Sequence, residues 1–185
     1  MISKQELRKE IFKTLQEISM EERKIEDEKI YQSLIESEVF KKAKTLFVFV
    51  STDREVNTHP FIKEALRQKK RVCVPKSYDD GIMKAYLIHS FSDLKLGRYQ
   101  ILEPITDLEV NPKEMDLIIV PCCSASMDGK RLGYGKGYYD RYLIQTDAMK
   151  LVLCRQALIR SDIPIDSYDQ RMDFICTKDG LFHTK

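Results

Sequence analysis

Between Asp128 and Arg141 the chain reads Asp-Gly-Lys-Arg-Leu-Gly-Tyr-Gly-Lys-Gly-Tyr-Tyr-Asp-Arg. Four glycines (Gly129, Gly133, Gly135 and Gly137) fall within nine positions, and three cations, Lys130, Arg131 and Lys136, stand among them. Glycine accepts positive φ and lets a ligand come close to main-chain N–H groups. A donor-rich loop with fixed positive charge suits the phosphates of a nucleotide. The carboxylate of Asp140, closing the stretch, can hold magnesium on those phosphates. Neither of two familiar phosphate motifs is present. Five residues, not four, separate Gly129 from Gly135, and Gly137 stands where Ser or Thr would meet the metal. Gly133, Gly135 and Gly137 alternate with single residues, which also breaks G-x-G-x-x-G. The structural alternative is a Gly-rich hairpin or wide turn.

The elements around this stretch follow from periodicity. Ser3 with Glu6, and Ser19 with Glu22, form capping boxes ahead of apolar residues at helical spacing: Leu7, Ile11, Leu15 and Ile18, then Ile30, Leu34 and Val39. Lys4 and Arg8, four apart, share a face of the first helix. The run 45–50 predicts a strand buried on both faces. Thr58 and Pro60 open a third helix, 72–75 is a short strand, and 84–88 is another. Residues 94–104 read as a long surface loop. Strands at 117–120 and 151–154, a helix at about 138–144 and a last strand at 174–177 complete the pattern. These elements predict one α/β domain spanning 1–185, a three-layer α/β/α sandwich with a mostly parallel sheet, Rossmann-like. In such sheets ligands collect at the carboxyl ends of strands, where Glu55 and the glycine loop lie.

The totals narrow the partners. With 31 basic and 29 acidic residues the formal charge is only +2, so no global field recruits nucleic acid or an anionic membrane. No apolar run approaches the roughly 20 residues of a membrane span, and the N-terminus lacks a signal-peptide pattern, so a cytoplasmic location is expected. The five cysteines include no C-x-x-C pair and read as buried thiols. Cys122 and Cys123 have no adjacent histidine to activate them. His59, His89 and His183 read as surface residues. Nothing resembling a coiled coil or large apolar stripe is present, which favours a monomer.

The stretch from Gly129 to Leu143 resembles the signature of the 5-formyltetrahydrofolate cyclo-ligase family, also called 5,10-methenyltetrahydrofolate synthetases. Lys4-x-x-Leu7-Arg8 resembles the family's N-terminal nucleotide motif, Val50 to Thr58 its folate-contacting loop, and Asp169 with Asp173 its acidic pair. The chain has Tyr168 where relatives often carry His, and Lys136 in place of a small residue, which adds a cation for phosphate. The resemblance implies ATP-dependent cyclisation of 5-formyltetrahydrofolate to 5,10-methenyltetrahydrofolate, with magnesium as cofactor, small molecules as the only partners, and a phosphorylated formyl intermediate. It implies ATP contacts at Lys4, Gln5, Glu6, Leu7 and Arg8, and at Arg131, Leu132, Gly133, Tyr134, Gly135, Lys136, Gly137, Tyr138 and Tyr139. Arg131 and Lys136 would be catalytic, stabilising charge on the transferring phosphoryl group. Val50, Glu55 and Tyr138 would contact folate, and Asp140 and Asp169 would hold magnesium. The competing readings are another ATP- or sugar-phosphate-binding enzyme on a similar sheet, and a non-catalytic folate- or nucleotide-binding regulator.

Overall fold

The computed structural model describes residues 2–97 and 100–184. Two helices open the chain, α1 (Lys4–Glu17) and α2 (Met20–Glu36), and each starts with its expected capping box. The second does not run on through Val39. Ser37 is extended, its hydroxyl donating to the Leu34 carbonyl (2.6 Å) and accepting from the Phe40 N–H (3.1 Å). A side chain that bonds locally competes with the helical ladder, so a separate turn, α3 (Glu38–Lys42), follows and turns Phe40 into the core.

Then come β1 (Thr45–Val48), α4 (His59–Arg67), β2 (Arg71–Ser77), β3 (Met83–Ile88), β4 (Leu94–Leu96), β5 (Leu102–Pro104), β6 (Glu109–Val110) and β7 (Leu117–Val120). The chain continues through β8 (Ser124–Ala125), β9 (Arg131–Leu132), α5 (Tyr138–Leu143), β10 (Met149–Leu153), β11 (Phe174–Thr177) and β12 (Gly180–His183). Eight strands form one sheet in the order β12-β11-β10-β7-β1-β2-β3-β6. Its middle, β11-β10-β7-β1-β2, is parallel throughout, and β12, β3 and β6 add antiparallel edges.

Alternation divides the core into two layers. Leu46, Val48, Leu117, Ile119 and Leu151 pack with Ile30, Leu34, Phe40, Phe61 and Ile62 of α2, α3 and α4. Phe47, Ile118, Val120 and Val152 face the other way, onto Leu7, Ile11 and Leu15 of α1 and Tyr142 and Leu143 of α5. The expected three layers and mostly parallel sheet are therefore present. β1 ends at Val48 rather than at Val50, and three further expectations need correction. The stretch 94–104 carries a β4–β5 hairpin, although Arg98 and Tyr99 within it lie outside the described residues. Met149 rather than Leu151 begins β10. The tail after β11 is a further strand, because Lys178-Asp179 turns the chain and Gly180, at φ +132°, starts the antiparallel return. Among the described residues no helix is long and apolar enough to cross a membrane.

Strand order reverses between β1 and β7: β2 is added on one side of β1, whereas β7, β10 and β11 extend the other. The carboxyl ends of β1 and β7 therefore flank the switch point, the customary ligand position in open parallel sheets. The loop carrying Glu55 follows β1, and the glycine stretch follows β7.

Candidate active site

The glycine stretch consists of two structures. Its first part is a tight hairpin joining β8 to β9, in which Ser126 donates to the Lys130 carbonyl (2.9 Å) and Gly129 to the Ser126 carbonyl (3.0 Å). Gly129 has φ +84°, and a Cβ there would lie 2.6 Å from the Met172 carbonyl oxygen. The hairpin alternative thus describes Gly129. The rest, Gly133 to Gly137, is an open loop with Gly135 at φ +94° and Gly137 at φ +68°, the latter serving as N-cap of α5.

Arg131 projects from β9 into the interior, its side chain only 5% exposed. Its Nη1 donates to the Pro121 carbonyl (3.2 Å) and its Nη2 to Asp140 Oδ1 (2.8 Å), while Nε has no hydrogen-bond partner among the described residues. Asp140 Oδ1 also accepts from the Gln170 N–H (3.3 Å), which brings the segment carrying Asp169 against α5. Lys4 pairs with Asp169 and, at 2.8 Å, with Asp166. Tyr168 donates its hydroxyl to Asp166 Oδ2 (2.9 Å) and lies under the Lys4 ammonium. Burial by itself would lower the Lys4 pKa, but the hydrogen bonds to Asp166 and Asp169 and their charges hold it above its ordinary value.

Arg8 Nε donates to the Gly133 carbonyl (2.7 Å), and its guanidinium lies over Gly135, where a Cβ would stand 3.2 Å from Cζ. The shared face of Lys4 and Arg8 is thus turned onto the glycine loop and the acidic segment. Gln5 and Glu6 are exposed, Glu6 serving in the capping box, and Leu7 is buried in the core. Leu132 and Val50 are core residues too, so any ligand would meet them chiefly through backbone. Lys136 is exposed, and its carbonyl accepts from Arg141 (2.6 Å).

Glu55 is held by Thr52, whose N–H and hydroxyl donate to Oε2 at 2.8 and 3.0 Å. Burial pushes its carboxyl pKa up against the opposing hydrogen bonds from Thr52 and Tyr134. Tyr134 links the two loops: its hydroxyl reaches Glu55 and the Cys122 carbonyl (3.4 Å), and its ring stacks on Phe12. The residue is 40% exposed, yet its hydroxyl end is shielded and burial raises its pKa. Tyr139 stacks on Phe47, and its buried hydroxyl has no hydrogen-bond partner among the described residues. Tyr138 donates to the Tyr78 carbonyl (3.1 Å) and borders a cleft of about 490 Å³ between α5 and the β3–β6 edge. Glu55 does not line that cleft, so the cleft alone does not define the site.

The donor set fits magnesium that takes most of its ligands from phosphate and water. Asp140 and Asp169 each engage one carboxylate oxygen in the pairs above, and hard oxygen donors in that number are what the ion takes from a protein when phosphates supply the rest. No group of three or more His, Cys, Asp or Glu side chains forms a closed metal cage among the described residues. Asp173 stands elsewhere, accepting from Lys150 (2.9 Å) at the amino end of β10 and β11. His59 is half-buried rather than a surface residue, its Nε2 lying 3.1 Å from the Ser51 carbonyl. The cysteines are unpaired; burial pushes Cys123 up to about 12, and the hydrogen bond with Cys154 together with burial raises Cys122, so neither is an activated thiolate. Sequence reasoning missed Asp166, Asp27 and Arg155, which gather at the carboxyl edge only through tertiary contacts. A lone Arg at the end of a strand was the one signal for Arg155.

Comparison with known proteins fits this arrangement. Residues 1–178 match the 5-formyltetrahydrofolate cyclo-ligase family. A probable 5-formyltetrahydrofolate cyclo-ligase of Caenorhabditis elegans is 31% identical, covering 92% of this chain and 90% of its own. The 5-formyltetrahydrofolate cyclo-ligase of Mus musculus is 28% identical, with 96% and 95% covered. The solution structure of Aquifex aeolicus 5,10-methenyltetrahydrofolate synthetase superposes with a TM-score of 0.88 at 31% identity, covering 100% of this chain and 94% of that one. With a family match over residues 1–178, a relative 31% identical across nine-tenths of both chains and a sheet that superposes on a solved member, the chain belongs to the 5-formyltetrahydrofolate cyclo-ligase family.

Proposed function

We propose that residues 1–185 act as a single cyclo-ligase domain that converts 5-formyltetrahydrofolate and ATP to 5,10-methenyltetrahydrofolate, ADP and phosphate. The observation that carries this reading is the placement of Arg8 of α1 and Arg131 of β9 against the glycine loop at the sheet's switch point, with Lys4 of α1 paired to the neighbouring acidic segment. The formamide oxygen of the substrate is a poor leaving group and has to be activated. It attacks the γ-phosphorus of ATP and ADP departs, leaving a phosphorylated iminium carbon. N10 then bonds to that carbon and gives up its proton, the C–O bond breaks, and the phosphate leaves with its electron pair, taking up that proton in the net reaction. Phosphoryl transfer of this kind asks the protein for alignment and charge stabilisation rather than for a nucleophile.

Arg131 and Lys136, with loop N–H groups, would stabilise the charge spreading over the phosphoryl oxygens, and Lys4 and Arg8 would hold the nucleotide. Glu55 would accept hydrogen bonds from pterin N–H donors, with Val50 at the base of its loop, and Tyr138 would wall the folate. Tyr134 and Tyr139 would border the nucleotide. Magnesium held by Asp140 and Asp169 would neutralise phosphate charge. The enzyme would work as a cytoplasmic monomer on small molecules alone. The test mixes purified protein, ATP, magnesium and 5-formyltetrahydrofolate and follows the ultraviolet absorbance of the methenyl product. Absence of that signal with the correct folate stereoisomer would sink the assignment.

A further inference from the structure

The turn bearing Glu55 has no strand or helix to fix it. Its own bonds, from Thr52 to the Glu55 carboxylate and from the Glu55 N–H to the Thr52 carbonyl (3.1 Å), make it a compact unit but do not tie it to the sheet. Thr58, whose hydroxyl donates to the Phe49 carbonyl (2.7 Å), closes the base of the loop and Tyr134 reaches the carboxylate. The peptide groups flanking Glu55, however, are anchored by Arg155, the second residue beyond β10, whose side chain is 2% exposed. Its Nη1 donates to the Arg54 carbonyl (3.2 Å) and its Nη2 to the Glu55 carbonyl (2.7 Å), so one guanidinium grips the peptide groups on both sides of the Glu55 Cα. Asp27 of α2 accepts from the same Nη2 through both carboxylate oxygens, at 2.8 and 3.0 Å. Asp27 Oδ2 also accepts from the Asn57 N–H (3.2 Å), holding the far end of the loop. The neighbouring Glu26 accepts from the Gln156 N–H (3.1 Å), fastening α2 to the segment that carries Arg155.

Three elements distant in sequence thus meet at one guanidinium. A buried ion pair is a poor device for stability alone, because desolvation offsets most of its Coulombic gain, and apolar residues of equal volume often serve as well. The Arg155 Nε remains without a hydrogen-bond partner among the described residues, a further cost. What the pair supplies that apolar packing cannot is direction: two carbonyls fixed at hydrogen-bond distance by a planar fork.

We propose that Arg155, held by Asp27, is a positioning residue for folate recognition, aiming the Glu55 carboxylate by gripping the Arg54 and Glu55 carbonyls. The inference rests on the reading of Glu55 as the folate contact. Lysine keeps the charge but cannot reproduce the fork, so Arg155→Lys loosens the turn without emptying the site. KM for 5-formyltetrahydrofolate rises about tenfold in this variant while KM for ATP stays within about twofold. In a Glu55→Gln background the same substitution changes the folate KM by less than about twofold, since both changes act through one carboxylate. Equal rises in both KM values, an unchanged folate KM, or full additivity with Glu55→Gln would overturn the proposal. If Arg155→Lys does not fold by circular dichroism, Asp27→Asn, which keeps shape and an acceptor, takes its place in the same measurements. Failure of both to fold would assign the pair to the fold and likewise overturn it. A Glu55→Gln enzyme with wild-type folate KM would instead remove the Glu55 reading itself, and this inference with it. A raised folate KM in Glu55→Gln but not in Arg155→Lys would remove the inference alone.

Discussion

Glu55 and Asp140 are both carboxylates at the carboxyl edge of the sheet, yet their surroundings ask different things of them. Burial raises the Glu55 pKa, so the fold favours its neutral form. Below the unfolded-state pKa both states are protonated and no penalty arises; it grows as pH climbs through that value and is complete above the folded pKa. Glu55→Gln is therefore expected to raise the melting temperature near neutral pH by about 2 °C while weakening folate binding. In the wild type, the folate KM should climb as acidification protonates Glu55, which a pH series of initial rates would register. Asp140 is bound to a buried arginine, so its removal has two consequences. Asp140→Ala leaves Arg131 unpaired and should cost about 3 kcal/mol in a denaturant titration. Asp140→Asn can keep the hydrogen bond but loses the charge; the magnesium concentration for half-maximal rate should rise on the order of tenfold, and an unchanged titration would take Asp140 out of the metal site.

Between β8 and α5 the glycines divide into fold and function. At Gly129 both the positive φ and the Met172 carbonyl exclude a side chain, and both obstacles are backbone. Gly129→Ala should lower stability by about 2 kcal/mol, with the ATP KM of the surviving enzyme near wild type. At Gly135 the nearest atoms belong to the flexible Arg8 side chain, so an added methyl group displaces a cation as well as straining φ. Gly135→Ala should raise the ATP KM several-fold, and so should Arg8→Ala, because each breaks the seat of α1 on the loop; an effect on folate KM alone would contradict that role. The two helices on this face differ in reach. The short α5 supplies Tyr138, Tyr139 and Asp140 from one turn, whereas α1 brings Lys4 from the far end of the chain to Asp166 and Asp169.

Over the molecule as a whole, the site is closed by segments from the first residues, the middle and the last third of the chain, all meeting at one edge of the sheet. A ligand held there ties these segments together and binds only the folded state. Saturating ATP with magnesium, at about 100 times its dissociation constant, should add about 2.7 kcal/mol to stability and raise the melting temperature by roughly 5–10 °C. Light scattering should give the mass of one 185-residue chain.

Much of this was written locally. Capping boxes at Ser3 and Ser19, the apolar runs of β1 and β7, and the spacing of Gly133, Gly135 and Gly137 depend on neighbours a few residues away, so they determined the helices, the parallel core and the loop. The same locality misled at Ser37, where a hydroxyl ended a helix that apolar spacing would have continued, and at Gly180, where a turn opened a strand from what resembled a tail. What the tertiary structure alone decided was pairing across distance. That Lys4 meets Asp166, that Arg131 grips Asp140, and that Arg155 and Asp27 hold the Glu55 turn depends on strand order and on which helix covers which face. Periodicity records which side of an element is buried, but the partner on that side is set only when the sheet assembles.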